Sequence, residues 1–329
     1  MNELRHQNEK NRTTGVSGGQ VAFVEIDEGA EGQRIDNFLL RLAKGVPKSH
    51  VYRILRSGEV RVNKGRIDAT YRLQLGDIVR VPPMRIAEST VQPAAVPAAE
   101  FAVLFEDEHL LIIDKPAGVA VHGGSGVSFG VIEQLRRSRP TARFLELVHR
   151  LDRETSGVLV LAKKRSALVH LHEQIRAGHL DKRYYAAVHG DWTHTRQHLR
   201  FALHKYSTPE GERRVRVQAD GLPSHTVINR MGGNGTFSWL EAELKTGRTH
   251  QIRVHLAHAG FPILGDEKYG DFALNKQLAR AGAKPGLRRM FLHAHRLVLA
   301  HPADGRRLTV EAPLPRECVA FLEQCGIRQ

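Results

Sequence analysis

The sequence predicts an α+β protein: a small α/β module followed by a larger body, a mixed, largely antiparallel sheet with flanking helices. Three observations carry this expectation. From Phe101 onward, strand-like runs outnumber helical ones and do not alternate regularly with them, which argues against a doubly wound parallel sheet. Residues 85–100, R-I-A-E-S-T-V-Q-P-A-A-V-P-A-A-E, are rich in Ala, Pro and small polar residues and read as a linker of mixed stiffness. The chain has 329 residues, enough for about two domains at roughly 150 residues each. The expected division is a flexible tail over 1–20, a small module over 21–84, the linker, and the body over 101–329.

Within the module, Ile35, Phe38, Leu39 and Leu42 recur at helical spacing across Arg34 to Leu42. Pro47-Lys48-Ser49 opens a second helix, Ser49 to Arg56, which turns Val51, Ile54 and Leu55 inward and stops at Gly58. Glu59 to Asn63 alternates as a strand, Lys64-Gly65 turns, Ile67 to Leu75 is weakly extended, and Ile78 to Val81 is a strand. In the body, strands are expected at Leu110 to Ile113, Phe144 to Val148, Val158 to Ala162, Lys182 to Val188, Val215 to Val217, Thr226 to Arg230 and Ser238 to Lys245. Helices are expected at Val131 to Arg137, Ser166 to Ala177 and Arg248 to Ala259.

Lys and Arg total 49 against 35 Asp and Glu, a net charge of +14, which favours a polyanionic partner such as a nucleic acid. The first twenty residues lack the apolar stretch of a signal peptide. No run reaches the roughly 18 apolar residues of a membrane span, so no membrane partner is expected. Cys318 and Cys325 are the only cysteines, too few for a disulfide framework or a thiolate zinc site. A reducing, cytoplasmic setting and a monomer are expected. The histidine pairs His170/His172 and His255/His258 belong to no metal motif, and no metal is expected. The chain contains neither G-x-G-x-x-G nor G-x-x-x-x-G-K-[ST], so no dinucleotide or phosphate-loop cofactor is indicated.

Function is most legible in His149 to Gly157, H-R-L-D-R-E-T-S-G. Asp152 stands between Arg150 and Arg153, in a loop between two apolar runs. Flanking cations keep a carboxylate ionised and attract phosphate. Three more segments stand out. T-G-R-T-H-Q-I-R-V-H (246–255) fits a helix start, with Arg253 one turn and more inside and able to reach Asp152. Tyr184-Tyr185 lies on a strand, where the two rings must face opposite sides. Lys115 stands at the root of a Gly-rich loop that runs through Gly123 to Gly126. In the module, Lys44, Lys48, Arg53, Arg56, Arg61, Lys64 and Arg66 are opposed by one acid, Glu59. Seven cations against one acid favour phosphate contacts over an ordinary solvated face.

The stretch K-S-H-V-Y-R-I-L-R-S-G-E-V-R-V-N-K (48–64) resembles the small S-four-like RNA-binding domain. The H-R-L-D-x-x-T-S-G segment, the K-x-Y strand and G-R-T-H-Q-I-R-V-H, in that order, resemble the pseudouridine synthases that modify ribosomal and transfer RNA. Asp114 stands where such proteins often have Asn, at a position with no catalytic role. The resemblance implies a cofactor-free isomerisation of uridine at several positions in 23S ribosomal RNA, free or in a large-subunit assembly intermediate. It implies that Asp152 is the catalytic aspartate, that Arg253 pairs with it, and that Tyr184 stacks on the base and helps remove the carbon 5 proton. Ile252 would line the base pocket and Arg150 would fill the space left by the extruded uridine. Lys115 and His250 are expected substrate contacts. A non-catalytic RNA-binding or assembly factor, and another RNA enzyme such as a methyltransferase, are the competing readings. The first should have lost part of the Asp152, Tyr184 and Arg253 set; the second needs a Gly-rich cofactor loop after a strand.

Overall fold

Ile35, Phe38 and Leu39 are all buried, as are Val51, Ile54 and Leu55 one helix later. Helical spacing of apolar residues therefore does set the first unit's packing. The computed structural model describes residues 20–27, 29–43, 45–84, 96–124, 127–280 and 282–327. The expected tail (1–19), most of the linker (85–95), Lys44, and Ser125-Gly126 of the Gly-rich loop lie outside them. Two compact units divide between residues 94 and 95.

In the first unit, β1 (Ala22–Glu25), β3 (Ile78–Val81) and β2 (Arg61–Val62) form an antiparallel sheet in that order. Helices α1 (Ile35–Leu42) and α2 (Lys48–Arg56) complete a core around Leu39, Val51, Ile54 and Val79. Burying such a side chain contributes about 1.5–3 kcal/mol relative to leaving it in water. Gly58, at φ +73°, takes the chain out of α2. The turn after β2 centres on Asn63 and Lys64, both at positive φ, one residue earlier than expected. Asn63 compensates through its side chain, which donates to Asp77 (2.7 Å) and accepts from Ile78 N–H (2.9 Å). The expected strand at Glu59 to Asn63 shrinks to two residues. Ile67 to Leu75 forms no strand beyond a single bridge, Arg34 with Arg72.

The second unit is built on an eleven-stranded sheet. Its main path runs β10 (Arg213–Val217), β9 (Arg196–Ser207), β11 (Leu222–Gly233), β12 (Phe237–Leu244), β8 (Asp181–His189), β13 (Leu292–Ala300), β7 (Ser156–Ala162), β5 (Leu110–Lys115), β4 (Ala102–Glu106). β14 (Arg307–Glu311) adds to β13, and β6 (Glu146–Leu147) adds to β7. Every pairing is antiparallel except β13 with β7. This is the mixed, largely antiparallel sheet the sequence predicts. β5 and β7 are continuous apolar runs because both faces are covered. Leu111, Ile113 and Leu159 pack on one face with α3 (Val131–Ser138) and α5 (Gln251–His258). Leu110, Ile112 and Val160 pack on the other with α4 (Arg165–Ala177). α7 (Arg316–Gln324) inserts Phe321 and Leu322 against Trp239 and Phe291. The short helix α6 (Phe272–Leu278) is capped by Asp271, which accepts from Leu274 N–H (3.0 Å). Among the described residues, no helix is long and apolar enough to cross a membrane.

Phe144 to Val148 is strand only at Glu146–Leu147. Strands β1, β4, β9, β13 and β14 and helices α6 and α7 were not expected. β9 is the instructive case: R-Q-H-L-R-F-A-L-H-K-Y-S carries Arg, His and Lys along its length because much of it faces solvent.

Gly157 sits on β7, between Lys115 of β5 and Ala294 of β13, at φ +107°. A Cβ here would overlap the Ala294 carbonyl. Strain and overlap together should make Gly157→Ala cost about 3 kcal/mol or more, read as a lower urea midpoint. An unchanged midpoint would show that β13 can move aside.

Candidate active site

Asp152 lies on the loop between β6 and β7, and that loop is held from below. The Lys115 side chain is fully buried, and its ammonium donates to the carbonyls of Pro116 (2.7 Å), Val119 (2.8 Å) and Arg153 (3.1 Å). Gly118 N–H donates to the same Arg153 carbonyl (2.9 Å). Burial pushes the Lys115 amine down to about 7, partly offset by the charges of Glu154 and Asp152. This corrects the expected substrate contact: a long side chain at the inner end of β5 spends its donors on backbone carbonyls and shapes the loop. At the far end of the loop, Ser156 Oγ lies 2.8 Å from Nδ1 of His293 and accepts from Arg289 (2.6 Å), tying the loop to β13.

The guanidinium of Arg253 enters from α5. Its Nη1 donates to Oδ2 of Asp152 at 2.8 Å. Its Nε and Nη2 form a fork onto Asp266, at 2.7 and 2.8 Å. Asp266 also accepts from the N–H groups of Lys268 (2.8 Å) and Tyr269 (3.1 Å). Burial works against charge on both Arg253 and Asp266. Their mutual hydrogen bonds outweigh it, so the arginine's pKa is raised and the Asp266 carboxyl's is lowered. The Tyr269 ring lies 5.1 Å from the guanidinium carbon.

The helix start differs from expectation. α5 begins at Gln251, so Arg253 is its third residue and lies in the first turn. The chain before it is bent by the buried Gln251, whose Oε1 accepts from Thr246 Oγ1 (2.8 Å) and Arg248 N–H (3.0 Å). His250 consequently sits at φ +54°, a conformation few non-glycine residues adopt. Its Nδ1 is 2.8 Å from the Tyr269 hydroxyl, and its Nε2 is 3.8 Å from Oδ1 of Asp152. Burial holds the imidazole below its ordinary pKa, against the pull of the Asp152 charge.

Tyr184 and Tyr185 do point to opposite faces. Tyr184 is buried with Leu151 and Ile252 in the core beneath the site. Tyr185 stacks on His295, with ring centroids 3.7 Å apart. The Tyr184 hydroxyl makes no hydrogen bond among the described residues, and it is not one of the unpaired polar atoms sealed from solvent. Burial, and then the charge of Asp152, raise its pKa. Asp152 itself is 29% exposed, so Oδ1 can meet a ligand.

Arg150 is exposed, with no ion pair among the described residues. Arg153 pairs with Glu154 (2.7 Å). The sequence neighbours therefore do not make the carboxylate's ion pair; Arg253, a hundred residues on, does. In the first unit, Lys48, Arg53, Arg56, Arg61, Lys64 and Arg66 are all exposed. Arg53 pairs with Glu59 (3.2 Å), and Arg61 and Arg66 donate to the carbonyls of Lys64 and Arg56. His172 bonds the Val148 carbonyl and His255 bonds Ser224. Among the described residues, no group of three or more His, Cys, Asp or Glu side chains could hold a metal ion.

Sequence reasoning missed Asp266 and Tyr269. The available signal was an acid directly after the apolar run Ile263-Leu264-Gly265, where a buried carboxylate needs a cation. Replacing Asp266 by Asn keeps the shape but leaves the buried guanidinium short of one anion, a loss of about 3–5 kcal/mol. A depressed carboxyl pKa contributes stability that is present above the unfolded value and lost as pH falls through the folded one. Wild-type stability should therefore decline below about pH 4, and Asp266→Asn should flatten that decline. Equal acid slopes in urea titrations would show that Asp266 carries none of it.

The pattern of the RNA pseudouridylate synthase family matches residues 109–258, and that of the S4 domain matches residues 33–79. The chain is 49% identical to the ribosomal large subunit pseudouridine synthase C of Haemophilus influenzae, over 98% of each chain. It is 52% identical to the protein of that name from Escherichia coli, over 89% of this chain and 93% of the other. Among solved structures, human RNA pseudouridylate synthase domain containing 4 superposes with a TM-score of 0.57 at 27% identity, covering 68% of this chain and 93% of that one. Identity at this level over nearly the whole length shows that the chain belongs to the RNA pseudouridylate synthase family, isomerases that act on RNA.

Proposed function

We propose that this enzyme converts uridine to pseudouridine at several positions in 23S ribosomal RNA, free or in a large-subunit assembly intermediate. It would use Asp152 and no cofactor, and work as a monomer in the cytoplasm. The observation that carries the reading is the carboxylate of Asp152, held at one oxygen by Arg253 and open at the other, above Tyr184 and Ile252. The relatives named for the large ribosomal subunit support the choice of RNA.

The isomerisation breaks the bond from nitrogen 1 of uracil to the ribose and rejoins the sugar at carbon 5. Nothing is oxidised or hydrolysed. The carboxylate can serve by attacking the anomeric carbon, by adding to carbon 6 of the base, or by abstracting a ribose proton through a glycal. Each route needs an anion beside the base with water kept out. The base must first leave its stack, which costs a few kcal/mol. Stacking on Tyr184, with Ile252 beside it and Arg150 in the vacated space, would repay that cost. A phenol with a raised pKa stays protonated at neutral pH. Tyr184 would therefore act on the carbon 5 proton as a relay, accepting as it donates, rather than as a phenolate. His250 would touch the base through the nitrogen that faces Asp152, 3.8 Å from its Oδ1. The exposed cations of the S4 domain would position the RNA through its phosphates.

Incubation with transcribed ribosomal RNA fragments, without added cofactor, should give pseudouridine detectable by chemical labelling. The Asp152→Asn protein should give none while binding the same fragments with unchanged affinity; appreciable product would remove Asp152 from the chemistry. Tyr184→Phe keeps the ring and should slow single turnover by about a hundredfold or more. A full rate would leave the hydroxyl without a role.

A further inference from the structure

We propose that Tyr269 fixes His250 as a hydrogen-bond donor facing the site, and that this donor binds oxygen 2 of the target uracil as the glycosidic bond breaks. This rests on the isomerase reading. It adds one residue that acts on the base and one that positions it.

The surroundings of His250 decide which ring nitrogen carries the proton. Nδ1 lies 2.8 Å from the Tyr269 hydroxyl, and that hydroxyl accepts from Val215 N–H on β10 at 2.9 Å. A phenol has one good acceptor direction and one proton in the plane of its ring. With the acceptor direction taken by Val215, the proton is left for Nδ1. Burial holds the imidazole below its ordinary pKa, so it keeps a single ring proton at neutral pH. That proton therefore sits on Nε2. The opposite side of the ring requires the same tautomer. Nε2 is 3.8 Å from Oδ1 of Asp152, where a bare nitrogen would set its lone pair against an anion. At that separation the N–H attracts the carboxylate without closing a hydrogen bond. Nε2 makes no other hydrogen bond among the described residues and is not one of the unpaired polar atoms sealed from solvent. The donor is thus oriented and open. Tyr269 is itself fixed by the ion-pair cluster. Its N–H donates to Asp266 (3.1 Å), and its ring lies 5.1 Å from the guanidinium carbon of Arg253.

The position of this donor selects its partner. The open oxygen of Asp152 has to reach the anomeric carbon, carbon 6 or a ribose proton, and all of these surround nitrogen 1. An N–H beside that oxygen faces the same side of the base, where the neighbouring carbonyl is the one at carbon 2. When the bond from nitrogen 1 to the ribose breaks, its electron pair stays with the uracil and negative charge spreads onto oxygen 2. The sugar then rejoins at carbon 5, which loses its proton, and nitrogen 1 takes one up. A preorganised N–H at oxygen 2 stabilises the charge where it develops.

The test uses the full-length chain and a ribosomal RNA fragment with uridine, 2-thiouridine or 4-thiouridine at the target, followed in single turnover. His250→Asn should lose about a hundredfold with uridine. Asn tolerates the left-handed backbone at position 250 better than Gln does, but is too short to reach the Nε2 position. His250→Gln can present an amide N–H there and should be the faster of the two. A rate for Asn equal to or above that for Gln would mean that His250 serves only the backbone, and overturns the donor. Sulfur accepts hydrogen bonds poorly, so 2-thiouridine should slow wild type by a larger factor than it slows His250→Asn. The 4-thiouridine factor should be the same in both proteins. Comparing factors cancels the intrinsic reactivity of each base. Coupling to the 4-thio substrate, or to neither, overturns the assignment of the oxygen. Tyr269→Phe keeps the ring over Arg253 and removes the hydroxyl. Isotope-edited NMR of the histidine ring nitrogens, with the His250 signals identified by their loss in His250→Asn, should show the Nε2–H tautomer in wild type. A fraction of the Nδ1–H tautomer should appear in Tyr269→Phe. An Nδ1–H tautomer in wild type, or an unchanged ratio in Tyr269→Phe, overturns the positioning by Tyr269. Failure of the isomerase reading would show separately, as wild-type protein that makes no pseudouridine from the uridine fragment.

Discussion

One buried guanidinium, shared between two carboxylates, organises the second unit. Arg253 is 5% exposed, and a cation taken out of water is tolerated only with its charge answered. Asp266 answers it first: both its oxygens take the fork from Arg253, and two backbone N–H groups complete its shell. Asp152 receives a single bond from the same guanidinium. Two anions against one cation leave a net negative charge in the cluster, and geometry places it on the partner that has an open oxygen. Were Arg253 paired with Asp152 alone, in a fork, the guanidinium would occupy both oxygens and leave neither open. Asp266 thus positions Arg253 so that it can orient Asp152 without covering it.

That division of roles depends on three distant pieces of chain meeting within hydrogen-bond range. The loop bearing Asp152 is fixed at its root by Lys115 and at its exit by Ser156 against His293. The first turn of α5 is fixed by Gln251, whose amide also donates to the His225 carbonyl and Thr226 Oγ1 on β11. The loop after Ile263 is closed by Asn275, which accepts from Gly265 N–H and donates to the Asp266 carbonyl. Each anchor is a polar side chain, mostly buried and spent on backbone groups. Errors in placing the carboxylate are then paid in broken buried hydrogen bonds, which keeps the constellation rigid before RNA arrives.

The same anchors explain what could be read from the sequence. Leu110 to Ile113 and Val158 to Ala162 were legible as strands because continuous apolar runs allow little else. Asp152 was legible because it stands between Arg150 and Arg153 in a loop between such runs. The partnership of Asp152 with Arg253 could be suggested by resemblance, but its geometry could not. The start of α5 is set by a glutamine's long-range bonds to β11, and no local period reports those. Asp266 escaped for the same reason: its partner lies thirteen residues back and across a turn. β9 and β13 escaped because neither carries a clean local strand signal: one mixes charged residues into its length, and the other, L-H-A-H-R-L-V-L-A, breaks its apolar run with two histidines and an arginine. Lys115 was misjudged because a lysine beside glycines looks free to bind phosphate, whereas the end of β5 is sealed.

A site with a net negative charge meets a substrate that is itself a polyanion, and the electrostatics must resolve that conflict. Phosphates approaching Asp152 and Asp266 are repelled over a Debye length of about 8 Å at physiological ionic strength. Exposed cations within that range must outweigh the repulsion without neutralising Asp152 itself. Arg150, two residues from Asp152, and Arg248, two residues from His250, are both exposed and unpaired among the described residues, so both are available for this. Arg153 is not, since Glu154 holds it. The protein therefore has two populations of cation here: a buried one that orients the carboxylate, and exposed ones that, on the proposed reading, would hold the RNA backbone. If the uracil enters here as proposed, a neutral His250 and a neutral Tyr184 would add no competing charge. On the proposed reading, only the base, which carries no charge, would have to approach the anion, and the phosphates on either side would stay with the arginines.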